Sequence, residues 1–119
     1  MSTRTMSAHG DLNQVAETIT REMQKSAISC QLVDSVKRDE GNCSSMLLVF
    51  EKYFMRASNR ASLSLMLNQI GDYVTADMIG SGGGQGPLFK FSWGAEDSFV
   101  STAVTILSDL GFRDDQVGK

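Results

Sequence analysis

The stretch from Ser45 to Arg56 constrains the fold more than any other, because it alternates like a strand and is nevertheless apolar on both sides. Met46, Leu48, Phe50 and Phe54 fall on one face, and Leu47, Val49, Tyr53 and Met55 on the other. A strand of this kind belongs inside a sheet, where both faces can be covered. The rest of the chain has to supply its neighbours and its cover.

Before it, Asp11 is placed to cap a helix, with Gln14 three residues on, and Leu12, Val15, Ile19 and Met23 recur on one side. This predicts an amphipathic helix of about 14 residues, about 21 Å long at ~1.5 Å per residue. After Ala27 the period becomes two, with Cys30, Leu32, Asp34 and Val36 alternating against Gln31, Val33, Ser35 and Lys37, and the spacing predicts a strand. Arg38 to Asn42 reads as the hairpin connection into the central strand.

Beyond the central strand, Ala57 to Arg60 reads as a turn, followed by a strand with Leu63, Leu65 and Leu67 on one face and Ser62, Ser64, Met66 and Asn68 on the other. Gly71-Asp72 suits a type II′ hairpin turn into a strand from Tyr73 to Ile79. A glycine-rich loop then leads to Leu88–Trp93, whose alternation predicts a fifth strand. The last element is a helix with Glu96 and Asp97 in its first turn and Phe99, Val100, Ala103, Val104, Ile106, Leu107 and Leu110 on its apolar face. Gly111 in a left-handed conformation, with Phe112 folding back, would end it.

Residues 1–10 are polar and read as a loose leader, residues 11–112 as one domain, and residues 113–119 as a polar tail. The expected fold is therefore α+β, a two-layer sandwich. Its five-stranded antiparallel meander carries an N-terminal and a C-terminal helix on one face, in the order α-β-β-β-β-β-α. Five strands at ~4.8 Å spacing span about 24 Å, and two helices of ~10–12 Å diameter cover one such face. The other face meets water or another molecule. Because the Ser45–Arg56 strand keeps that face apolar, a homodimer or another protein partner is expected there, the alternative being cover by a bend, the leader or the tail.

Composition narrows the function classes. With 41% hydrophobic and 21% charged residues, the 119-residue chain has the make-up of a globular domain. Residues 1–60 hold eight bases and seven acids, and residues 61–119 three bases and seven acids, which disfavours a nucleic-acid-binding face. No apolar run has the length of a signal peptide core or a membrane span, so a cytoplasmic protein without membrane contact is expected. Two cysteines, Cys30 and Cys43, are too few for a disulfide framework and offer no metal-ligand spacing. The single histidine, His9, lies in the leader, and no nucleophile elbow is present, so no catalytic set and no metal site is assigned.

The compositional oddity is Ile79 to Trp93, which holds five of the eleven glycines and the only proline. It does not match a dinucleotide fingerprint, since Gln85, Pro87 or Phe89 occupies the third glycine position. Nor does it match a P-loop, since Gly86 is followed by Pro87 and Leu88. Both motifs also need a helix directly after the glycines. Two readings remain: a plain hairpin connection, or a nest of backbone N–H groups holding a small anion. The second would use Ser81, Gly82, Gly83, Gly84 and Gln85, with Arg60 and Trp93 as helpers. No cofactor is implied.

The runs Phe50–Phe54, Asn59–Leu65, Ile79–Gly84 and Phe91–Gly94 resemble a family of small bacterial proteins of about 110–120 residues catalogued only as a domain of unknown function. The resemblance covers roughly residues 11–112. It implies a small single-domain cytoplasmic protein and carries no catalytic set, ligand or cofactor. The leading expectation is thus a non-enzymatic binding or interaction protein acting as a homodimer through its sheet face. The alternative is a small-molecule or anion-binding domain built on the glycine-rich loop 80–86.

Overall fold

The computed structural model describes residues 2–54, 59–82 and 95–114. Eight elements follow one another: β1 (Ser2–His9), α1 (Leu12–Ser26), β2 (Gln31–Glu40), β3 (Cys43–Phe54), β4 (Asn59–Ile70), β5 (Tyr73–Gly82), α2 (Ala95–Asp109) and β6 (Arg113–Asp114). The fold is α+β, with an open antiparallel sheet of six strands in the order β2-β3-β4-β5-β1-β6.

Strands β2 to β5 form the expected meander, but the sheet continues past β5 with elements read as something else. Residues 1–10, expected as a loose leader, contribute β1, which pairs with β5 from Ser2↔Gly80 to His9↔Tyr73. Arg113 and Asp114, expected in the tail, add β6 beside Ser7 and Met6. The reason is the alternation of Met6 and Ala8 with Thr5, Ser7 and His9. Met6 is 2% exposed and joins the core under the helices, whereas Thr5 and Ser7 point to the opposite face, where Ser7 is buried as well. Six strands therefore replace the expected five, and the expected strand over Leu88–Trp93 lies outside the described residues. Among the described residues the order is β-α-β-β-β-β-α-β.

Helix α1 has to carry the chain from β1 to the far edge at β2, four strand spacings away. That is about 19 Å at ~4.8 Å per strand, and a 15-residue helix is about 22 Å long. Asp11 caps it as expected, its carboxylate accepting from the Gln14 N–H at 3.1 Å. Leu12, Val15, Ala16, Ile19 and Met23 are buried against the sheet.

Both helices lie on the same face of the sheet. The face they cover presents Leu48 and Phe50 from β3, Ala61, Leu63, Leu65 and Leu67 from β4, and Val74, Ala76 and Met78 from β5. Helix α2 packs on β4, β5 and β1 and against α1, placing Phe99, Val100, Ala103 and Leu107 in this core. Gly111 ends it at φ +95°. Its N–H donates to the Ser108 carbonyl at 3.0 Å, and the Phe112 N–H donates to Leu107 at 2.9 Å, so Phe112 turns back into the core.

Two local departures matter for the open face. A β-bulge between Leu32 and Asp34 interrupts the alternation of β2. Leu32 therefore points with Phe50 toward the helices, while Val36 pairs with Leu47 on the opposite side, although the two were expected together. Strand β4 begins at Asn59, which makes Arg60 a strand residue in register with Tyr53 rather than part of a turn. Among the described residues, two-residue hairpin loops are formed by Gly41-Asn42 and Gly71-Asp72, with Gly71 at φ +63°.

Candidate functional site

The sheet face opposite the helices carries an apolar strip. Pairing sets its rows: Val36–Leu47–Met66–Asp77–Thr5 across β2, β3, β4, β5 and β1, and beside it Asp34–Val49–Ser64–Ile79–Thr3. Val36, Leu47, Met66 and Ile79 are 40–46% exposed, and Val49 is half-buried. Toward the Gly71 hairpin the strip continues through Ile70 and Tyr73, and toward the other end through Tyr53, all exposed. Large aliphatic side chains adjoining one another on an open sheet make an exposed apolar patch on this face.

The polar groups on this face are largely satisfied by lateral partners. Ser45 donates to Asn68 Oδ1 at 2.6 Å, Thr5 to Asp77 Oδ1 at 2.8 Å, and the Tyr73 hydroxyl to Ser7 Oγ at 2.7 Å. Arg60 lies 3.5 Å from Glu51. Groups already paired within the face lose less on being covered than groups hydrated by bulk water. Charges of both signs are present: Asp34, Glu40, Glu51 and Asp77 against Arg38, Arg60 and Arg113.

Of the residues assigned to an anion site from the sequence, three are described. Ser81 and Gly82 end β5, in register with Ser62 and Ala61, and Arg60 stands on the same open face at the matching end of β4. Gly83, Gly84, Gln85 and Trp93 lie outside the described residues. Arg60 borders a depression of about 150 Å³ that it shares with Tyr53, Lys52 and Glu51. The Glu51 carboxylate beside it opposes an incoming anion.

A second concavity, about 680 Å³, runs between α1 and the edge of the sheet, with Leu32, Met46, Leu48 and Ala16 lining its apolar part. Arg21 and Lys25 stand over it, both paired to Glu22 at 3.4 and 3.5 Å. Among the described residues no group of three or more His, Cys, Asp or Glu could hold a metal ion, and no helix is long and apolar enough to cross a membrane.

The register puts Leu47, Val49 and Tyr53 on the open face; the sequence grouped them on one face of their strand without saying which face the helices leave open. It missed Val36 and Ile79: the bulge decides the first, and the Ile79↔Ser64 register reveals the second. It also missed the polar β1 column Thr3, Thr5, Ser7 and His9, whose signal was the period-two placement of Met6 and Ala8 between them.

No curated protein matches the chain. The model of a family of unknown function, DUF6054, matches residues 1–111, which takes in the whole sheet up to β5 and both helices, and the chain belongs to that family.

Proposed function

We propose that the protein is a small interaction protein that works as a homodimer, two copies stacking through the open faces of their sheets. The observation that carries this reading is the contiguous strip Val36, Leu47, Val49, Met66 and Ile79 on a face that neither helix covers. Size supports it. Strands β2 to β5, at ~4.8 Å spacing and about ten residues of ~3.4 Å each, offer roughly 650 Å² of flat face per copy, against about 800 Å² per partner in a standard interface. Charge supports a second copy over a polyanion, because four acids and three bases, both signs interspersed, leave the face without a dominant positive patch.

Leu47→Asp combined with Met66→Asp tests the reading. Both side chains point away from the core, so the double variant keeps its circular dichroism and its cooperative unfolding while its elution shifts to that of a monomer. A variant that stays the same size as the parent protein would refute the assignment of this face.

A further inference from the structure

Resting on that reading, we infer that the dimer is built about a two-fold axis running parallel to the strands, midway between β3 and β4. Stacked twisted sheets cross by about 30°, which this axis accommodates by a tilt of about 15°. Two arrangements are open to a pair of identical sheets meeting face to face, and the distribution of polarity across the strands separates them.

An axis across the strands, through the Val36–Leu47–Met66–Asp77 row, would lay every column on its own copy. The β1 column, Thr3, Thr5, Ser7 and His9, would then be buried against itself, and Asp77 would meet the partner copy's equivalent carboxylate at the axis. Like charges directly opposite each other destabilise such a contact. The gain would be an Asp34–Arg38 pair between copies on either side of Val36.

An axis along the strands instead exchanges β3 with β4 and β2 with β5. The apolar residues of the face all lie on β2 to β5, and the midline of those four strands falls between β3 and β4. Leu47 then packs on Met66 of the other copy around the axis, with Val49 over Ser64. Tyr53 comes over the Arg60 guanidinium, a cation–π contact that leaves the Glu51–Arg60 pair in place. No like charges face each other; Asp77, which comes over Val36, keeps its bond from Thr5, and Asp34 comes over Ile79. The β1 column has no counterpart beyond β2, so the exposed Thr3 and His9 stay in water, while Thr5 and the buried Ser7 keep the bonds they already make to Asp77 and Tyr73.

Cys43 is a built-in reporter, exposed on the open face of β3, whereas Cys30 is buried. With the axis along the strands, the two Cys43 Cα atoms lie about 10–15 Å apart. With the axis across them, the separation is nearly 30 Å, from ~3.4 Å per residue and ~10 Å between sheets. A nitroxide on Thr3→Cys in a Cys43→Ser background reverses the order: about 26 Å along, about 17 Å across. The inference predicts strong dipolar broadening for label at Cys43 and a long distance for label at position 3. The reverse pattern in a protein that sediments as a dimer overturns the axis and leaves the dimer standing. Absence of coupling at both positions in a protein that sediments as a monomer removes the dimer as well.

Discussion

Cys30 connects the sheet end of the core to solution pH. Burial raises its thiol above the ordinary value of 9.0, with Lys52 pulling part of the way back. A raised folded value means that the folded chain holds this proton after the unfolded chain has lost it. The contribution is therefore complete below about pH 9 and is lost as pH rises through the folded value, with a slope of up to ~1.4 kcal/mol per pH unit. Urea unfolding between neutral and strongly alkaline pH measures it: Cys30→Ala flattens the alkaline decline, and an unchanged slope would contradict the assignment. At the other end of the sheet, Gln69 ties three elements together. Its Oε1 accepts from Leu12 N–H at 2.7 Å, and its Nε2 donates to the Gly71 and Gly10 carbonyls at 2.7 and 3.3 Å. Gln69→Ala should cost about 1–3 kcal/mol in the same assay, since it leaves a helix N–H and two loop carbonyls without these partners.

At the scale of elements, the long periodic segments were legible and the short or interrupted ones were not. Helix α1 announced itself through Asp11 and the Leu12, Val15, Ile19, Met23 spacing, and β3 and β4 through unbroken alternation. Strand β1 escaped because its only core residues are Met6 and Ala8 and its partner, β5, is more than sixty residues away in sequence. No local pattern can state such a pairing. The β2 bulge escaped for a related reason: one inserted residue, Val33, leaves composition untouched and moves Val36 to the other face. Met6→Ala checks β1 directly. As a buried residue of a docked strand it should cost about 2–5 kcal/mol, whereas a loose leader would tolerate the change within about 0.5 kcal/mol.

For the whole molecule, helices on one face and a partly apolar surface on the other pose a single question, namely what meets the open side. The sequence had already indicated an open, partly apolar face through the two-sided Ser45–Arg56 run, without choosing between its sides. The structure adds Val36 and Ile79 and places the polar β1 column at the margin. The glycine loop, most conspicuous in the sequence, contributes Ser81 to the edge of this same face, near Arg60, while Gly82 pairs with Ala61 on the other face. The most direct test is sedimentation equilibrium of the unmodified protein from low to high micromolar concentration. The account predicts a mass approaching twice the 13.0 kDa chain as concentration rises. A mass that stays at 13.0 kDa throughout the high micromolar range would contradict it.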